Sequence, residues 1–123
     1  MITLKTLPQA TAQEVFDQIT QHLIRQGRAA KSSTGACRYR VEVQGEILKC
    51  AAGCLIADGE YNRLFESVAW DDLVNDGKVP GSHYKLIRRL QQVHDGESFE
   101  DWPHHFEAIA DAYNLNFIRR RNY

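Results

Sequence analysis

Cys37, Cys50 and Cys54 are the side chains of this sequence best suited to chemistry, and the last two stand four residues apart in the run Lys49-Cys50-Ala51-Ala52-Gly53-Cys54-Leu55. A thiolate can bind a metal ion or attack an electrophile. As a zinc site, Cys37, Cys50 and Cys54 would give three sulfurs and His94, His104 or His105 a fourth donor. Structural zinc sites usually present two tight pairs, however, and this chain offers one loose pair and a distant single cysteine. As a catalytic set, Cys54 or Cys50 would be the nucleophile, with His94 and Asp95 as base and orienter, which is the logic of a thiol-dependent hydrolase or transferase. The preferred reading is plainer. All three cysteines fill the core as small apolar side chains, with no metal and no cofactor.

Charge supplies a second candidate site. Arg28, Lys31, Arg38 and Arg40 gather around a small, polar loop and the first predicted strand, Tyr39 lies among them, and Arg119, Arg120 and Arg121 close the chain. Together these residues form a candidate binding surface for a nucleic acid or an anionic ligand. The overall balance of 15 basic and 16 acidic side chains, net -1, gives no general attraction to phosphate, and the acidic stretch 58–76 is expected on another face. No glycine-rich phosphate loop, G-x-S-x-G elbow or H-E-x-x-H helix occurs. The run 72–77 matches an EF-hand loop only in part, because Val74 stands where an oxygen ligand is required.

The elements that must position these groups follow from periodicity. Thr11 and Glu14 form a capping box, Val15, Phe16, Ile19 and Leu23 recur at helical spacing, and Gly27 offers a left-handed stop, so a helix is predicted over 12–26. The period then changes to two, and a β-hairpin is predicted over about 38–50 with Gln44-Gly45 as its turn. Pairing Val43 with Glu46 puts Tyr39 opposite Cys50 and Val41 opposite Leu48 on one buried face. Asp58 is the expected cap of a short helix over 59–66 carrying Tyr61, Leu64 and Phe65. Ser82 is the expected cap of a helix over 83–94, and Ser98 or Asp101 of one over 100–113 that buries Phe99, Trp102, Phe106, Ile109 and Tyr113. The fold class is therefore α+β, with one small domain over 1–123, a hairpin covered on one face by helices, and a tail over 117–123 free to be flexible. No apolar run approaches the roughly 18 residues of a membrane span. The unpaired thiols and the N-terminal sequence fit a cytoplasmic protein with no membrane association.

The segments CRYR, LKCAAGCLIADGEY, LIRRLQQVHDG and DWPHHFEAIADAYNL together resemble a group of small bacteriophage and prophage proteins with no established activity. The resemblance implies context and assigns no residue a role. It implies a non-enzymatic accessory protein, monomer or homodimer, that binds and modulates or inhibits a macromolecule of the host cell, such as a defence-system component. A host protein is the expected partner, and a nucleic acid the other class.

Overall fold

The computed structural model describes residues 1–117. It is an α+β domain in the order α1 (Ala12–Gln26), β1 (Arg40–Val43), β2 (Glu46–Lys49), α2 (Trp70–Asn75), α3 (Tyr84–Gly96) and α4 (Trp102–Ala112), with short 3-10 turns between them. The first helix begins as its capping box requires. The Glu14 amide donates to Thr11 Oγ1 at 3.1 Å, and the Thr11 amide donates back to Glu14 Oε1 at 2.8 Å. Val15, Phe16, Ile19 and Leu23 are fully buried, each stabilising the fold by about 1.5–3 kcal/mol relative to exposure. Gly27 then ends the helix in the left-handed region at φ 76°.

The hairpin has the expected register, with Val43 opposite Glu46, Val41 opposite Leu48 and Arg40 opposite Lys49. Its open end carries the attachment. Tyr39, Leu48 and Cys50 are buried, whereas Val41 and Val43 are only half-buried. The helices pack chiefly on one another, and α3 touches α1, α2 and α4. The expected α+β arrangement of a hairpin packed against helices is present, with Tyr39 and Cys50 joining the helices' common core.

Four expectations change. From Asp58 the chain forms turns instead of a helix over 59–66, leaving one 3-10 turn, Arg63–Phe65, capped by Asn62. The reason is tertiary. The Glu60 carboxylate accepts the amides of Leu4, Lys5 and Ala57, at 2.9, 3.0 and 2.9 Å, and so ties the N-terminal segment to this corner, while Leu64 turns outward at 76% exposure. At α3 the cap position belongs to His83, left-handed at φ 59°, whose Nε2–H donates to the Ala10 carbonyl at 2.7 Å in place of any Ser82 cap. Before α4, Phe99 is substantially exposed and meets Trp102 edge-on at 5.2 Å. Phe117, expected in the loose tail, instead packs edge-on against Phe16 and Phe106 at 5.9 Å. The rest of that tail, 118–123, lies outside the described residues. Among the described residues no helix is long and apolar enough to cross a membrane.

The small residues between Cys50 and Cys54 have a packing cause. The Gly53 amide donates to Cys50 Sγ at 3.3 Å, and a Cβ on Gly53 would stand 2.0 Å from the Tyr39 carbonyl oxygen. The turn is pressed against the hairpin backbone, and only a glycine leaves room for that approach.

Acid sensitivity is built into the same framework. Burial holds the His22 imidazole below its ordinary value of 6.5, although its Nε2–H donates to the Lys49 carbonyl. Burial raises the Glu60 and Asp95 carboxyls, but the hydrogen bonds they accept outweigh it and leave both below their ordinary values of 4.5 and 3.8. In each case the unfolded chain takes up the proton first, so stability is complete above the ordinary value and is lost as pH falls through the folded one. Chemical-denaturation midpoints measured against pH are expected to decline from 6.5 downward through His22, then more steeply through the carboxylates. His22→Gln should flatten the upper branch alone.

Candidate functional site

The loop between α1 and β1 reaches back to α3 through one imidazole. The Ala30 amide donates to His94 Nε2 at 2.9 Å, which fixes the proton on Nδ1, and that N–H donates to Asp95 Oδ1 at 2.8 Å. His94 is 1% exposed, so both ring nitrogens are committed inside the protein. Asp95 Oδ1 also accepts from Gln91 Nε2 at 2.7 Å, and the Cys37 thiol lies within 4.8 Å of the same carboxylate. Gln91 Oε1 in turn accepts the Ala52 amide at 2.9 Å. The result is a network that joins the loop, α3 and the turn after the hairpin.

This arrangement corrects the sequence-derived sites. Cys50 and Cys54 were paired with His94 and Asp95, but the cysteine that meets Asp95 is Cys37. Burial raises all three thiols. Cys37 is pushed up to about 11, with the Asp95 charge adding to the effect, Cys54 is pushed up to about 12, and Cys50 is raised as well. Cys54 Sγ–H donates to the Ala51 carbonyl at 3.1 Å. Burial disfavours thiolate at these residues, and His94, the expected base, has both ring nitrogens engaged.

The three-thiol metal set does not converge either. Among the described residues, the only grouping of three ligand atoms within 4.8 Å of one another is Cys37, His94 and Asp95. There His94 Nδ1 carries a proton because Nε2 already accepts from Ala30, so ligation at Nδ1 would require an imidazolate or the loss of the Ala30 bond. His104 and His105 lie beside each other, with His105 on Glu97 at 3.2 Å.

The basic residues are paired. Arg28 meets Glu46 at 3.0 Å, Arg38 meets Glu66 at 3.3 Å, and Arg40 meets Asp58 at 3.0 Å. Two acids of 58–76, Asp58 and Glu66, are therefore counter-ions of Arg40 and Arg38, although that stretch was expected on another face. Lys31 is exposed and bridges Cys37 through its backbone. Arg119, Arg120 and Arg121 lie outside the described residues.

What the fold assembles instead is a cleft of about 380 Å³ between the hairpin base, the entry to α2 and one side of α3. Tyr39 and Trp70 form one wall, rings tilted with centroids 6.2 Å apart, and the Tyr39 hydroxyl donates to the Val68 carbonyl. Arg88 and Gln92 rise from α3 on the other side, and Ser67, left-handed at φ 66°, stands on the connecting loop. Arg88 Nη1 donates to Asp71 Oδ2 at 3.1 Å. Three buried polar atoms of lining residues have no hydrogen-bond partner among the described residues: Trp70 Nε1, Asp71 Oδ1 and Arg38 Nε. Arg38 Nε faces Glu66 as an ion pair without hydrogen-bond alignment.

Tyr39 and Arg38 are binding candidates in the sequence. Asp71, Arg88 and Gln92 are not, although Arg88, Gln91, Gln92 and Asp95 recur at helical spacing as a polar stripe beside the apolar one. Against known proteins, no family model matches the chain, and neither the curated proteins nor the solved structures contain a match.

Proposed function

We propose that this protein is a non-enzymatic accessory protein, of the kind carried by phages, that acts by binding a host protein through the Tyr39–Trp70 cleft and so modulates or inhibits it. A component of a defence system is the target class that the resemblance suggests. The observation that carries the reading is the cleft itself, with Tyr39 and Trp70 as an aromatic wall and Arg38 and Arg88 among its lining. The raised thiols and the committed His94 support binding over thiol chemistry. Pairing of Arg28, Arg38 and Arg40 with acids weakens the case for phosphate recognition.

The test uses Gln92→Arg, an exposed position whose longer side chain would fill the cleft mouth. Affinity capture from bacterial lysate should yield a stoichiometric protein partner. Titration with that purified partner should show affinity lowered about tenfold or more by Gln92→Arg and unchanged by Cys54→Ser. A partner indifferent to Gln92→Arg would overturn the reading, as would a turnover activity abolished by Cys54→Ser or Cys50→Ser in a folded variant.

A further inference from the structure

We infer that helix α1 carries a self-complementary face on which a second copy of this chain docks antiparallel, giving a two-fold homodimer. A groove of about 470 Å³ runs beside the helix and shares no lining residue with the Tyr39–Trp70 cleft. Glu14, Asp17, Gln18, Gln21, His22 and Arg25 line it from α1. Steps of three, one, three, one and three residues put them on one stripe of the helix, about 16 Å long. The spacing reads the same in both directions, whereas the charge reverses from acidic to basic. A two-fold axis at the midpoint, between residues 19 and 20, therefore sets Glu14 against the partner's Arg25, Asp17 against the partner's His22 and Gln18 against the partner's Gln21, each pair occurring twice.

The charged ends are open to such pairing. Gln21 and Arg25 are exposed and make no hydrogen bond or ion pair among the described residues, unlike Arg28, Arg38, Arg40 and Arg88, each of which meets a carboxylate. Glu14 is exposed, and its bonds with Thr11 hold its carboxyl below the ordinary 4.5. The Met1 amino group adds a positive charge near Glu14, but with Asp17 this end keeps a net negative charge. At the other end Lys49 lines the groove beside His22 and Arg25, with Asp58 at 3.7 Å from its ammonium. A partner of uniform charge would match one end and repel the other, whereas an antiparallel copy matches both and opposes the two helix dipoles. His22 brings a proton into the association. Its Nε2–H stays on the Lys49 carbonyl, so Nδ1 meets the partner's Asp17 as a donor only when protonated. Burial and the charges that face the ring, Lys49 on β2, Arg25 on α1 and His94 on α3, hold it below its ordinary value of 6.5 in the single chain. The partner's carboxylate offsets them, so the dimer binds the proton more tightly and strengthens as pH falls.

Sedimentation velocity of the full chain, from about 5 to about 500 μM in about 50 mM NaCl, tests the pairing. A monomer–dimer equilibrium with a dissociation constant of about 50 μM is expected, the weak end for a polar interface. It should weaken about tenfold in about 0.5 M NaCl and tighten about threefold between about pH 7.5 and about pH 6. Arg25→Glu sets two carboxylates against each other at both ends of the contact, and Glu14→Lys sets two cations there, so either variant alone should associate about tenfold more weakly or not at all. An equimolar mixture of the two should regain the affinity of the unsubstituted chain, because each charge at positions 14 and 25 then meets its opposite. Arg25→Glu alters an exposed side chain and decides the matter even where Glu14→Lys, which gives up the capping box, fails to fold. A chain that stays monomeric throughout, a dimer indifferent to Arg25→Glu, or a mixture of folded variants no more associated than its parts would overturn the inference. So would an affinity that falls as the pH is lowered, or a dimer broken by Gln92→Arg, which would place the contact at the cleft.

Discussion

Gly53→Ala is expected to cost about 4 kcal/mol or more, a large share of the stability of a domain this size. The added methyl would stand 2.0 Å from the Tyr39 carbonyl oxygen and 2.9 Å from its carbon. Those are backbone atoms, so no side-chain rotation relieves the overlap; either the hairpin base or the turn must move. Moving the turn would strain the Gly53 amide bond to Cys50 Sγ and the Cys54 amide bond to the Cys50 carbonyl, while moving the hairpin would pull Tyr39 from Trp70. Gly59→Ala is the matching control, because nothing lies within 4 Å of a Cβ there. It should be neutral or stabilise by about 0.5 kcal/mol by restricting the unfolded chain. Urea unfolding of both variants gives the comparison, and equal midpoints would show that the close approach is not felt.

The second large effect is expected at Glu66. Its side chain is 7% exposed and gathers four donors: the amides of Tyr39 and Arg40 at 2.9 and 3.2 Å, the Tyr61 hydroxyl at 2.6 Å, and Arg38 by ion pairing. Glu66→Ala strands two backbone amides and a hydroxyl at the hinge where the hairpin joins the helices. A loss of about 3 kcal/mol is expected, or about 10 °C in thermal midpoint. Glu66→Gln retains a carbonyl acceptor and gives up the charge, so it should lose about half as much. If the two variants melt together, the ion pair with Arg38 supplies the stability and the amide bonds do not.

How far the sequence revealed this arrangement depended on the distance between partners. Helix α1 was readable to the residue because its start, stripe and stop are local: Thr11 with Glu14, Val15 to Leu23, and Gly27. The hairpin was readable because alternation and the Gln44-Gly45 turn fix one register. The corner at 57–66 misled, since Asp58 resembles a helix cap in isolation but serves Arg40, and Glu60 serves amides of residues 4 and 5. Closeness in sequence also drew attention to Cys50 and Cys54, whereas the thiol that reaches Asp95 is Cys37, brought there by a loop without regular structure. The cleft was half-legible. Its aromatic wall stood out by residue type, but the unpaired state of Trp70 Nε1 and Asp71 Oδ1 is a fact of three-dimensional packing.

The side-chain ties between remote segments have a consequence for a chain emerging from the ribosome. His94 receives the Ala30 amide across 64 positions, His83 reaches Ala10 across 73, and Gln13 reaches the Asn116 backbone across 103. Helix α1 and the hairpin can take up their local shapes early, but the loop between them gains its tie to His94 only when α3 has been made, and α1 gains its contacts with Asn116 and Phe117 only when those residues arrive. Closing such long loops comes late and at entropic cost. Synthesis therefore delivers local pieces first, and the domain becomes a single cooperative body only once residues 116 and 117 have been made.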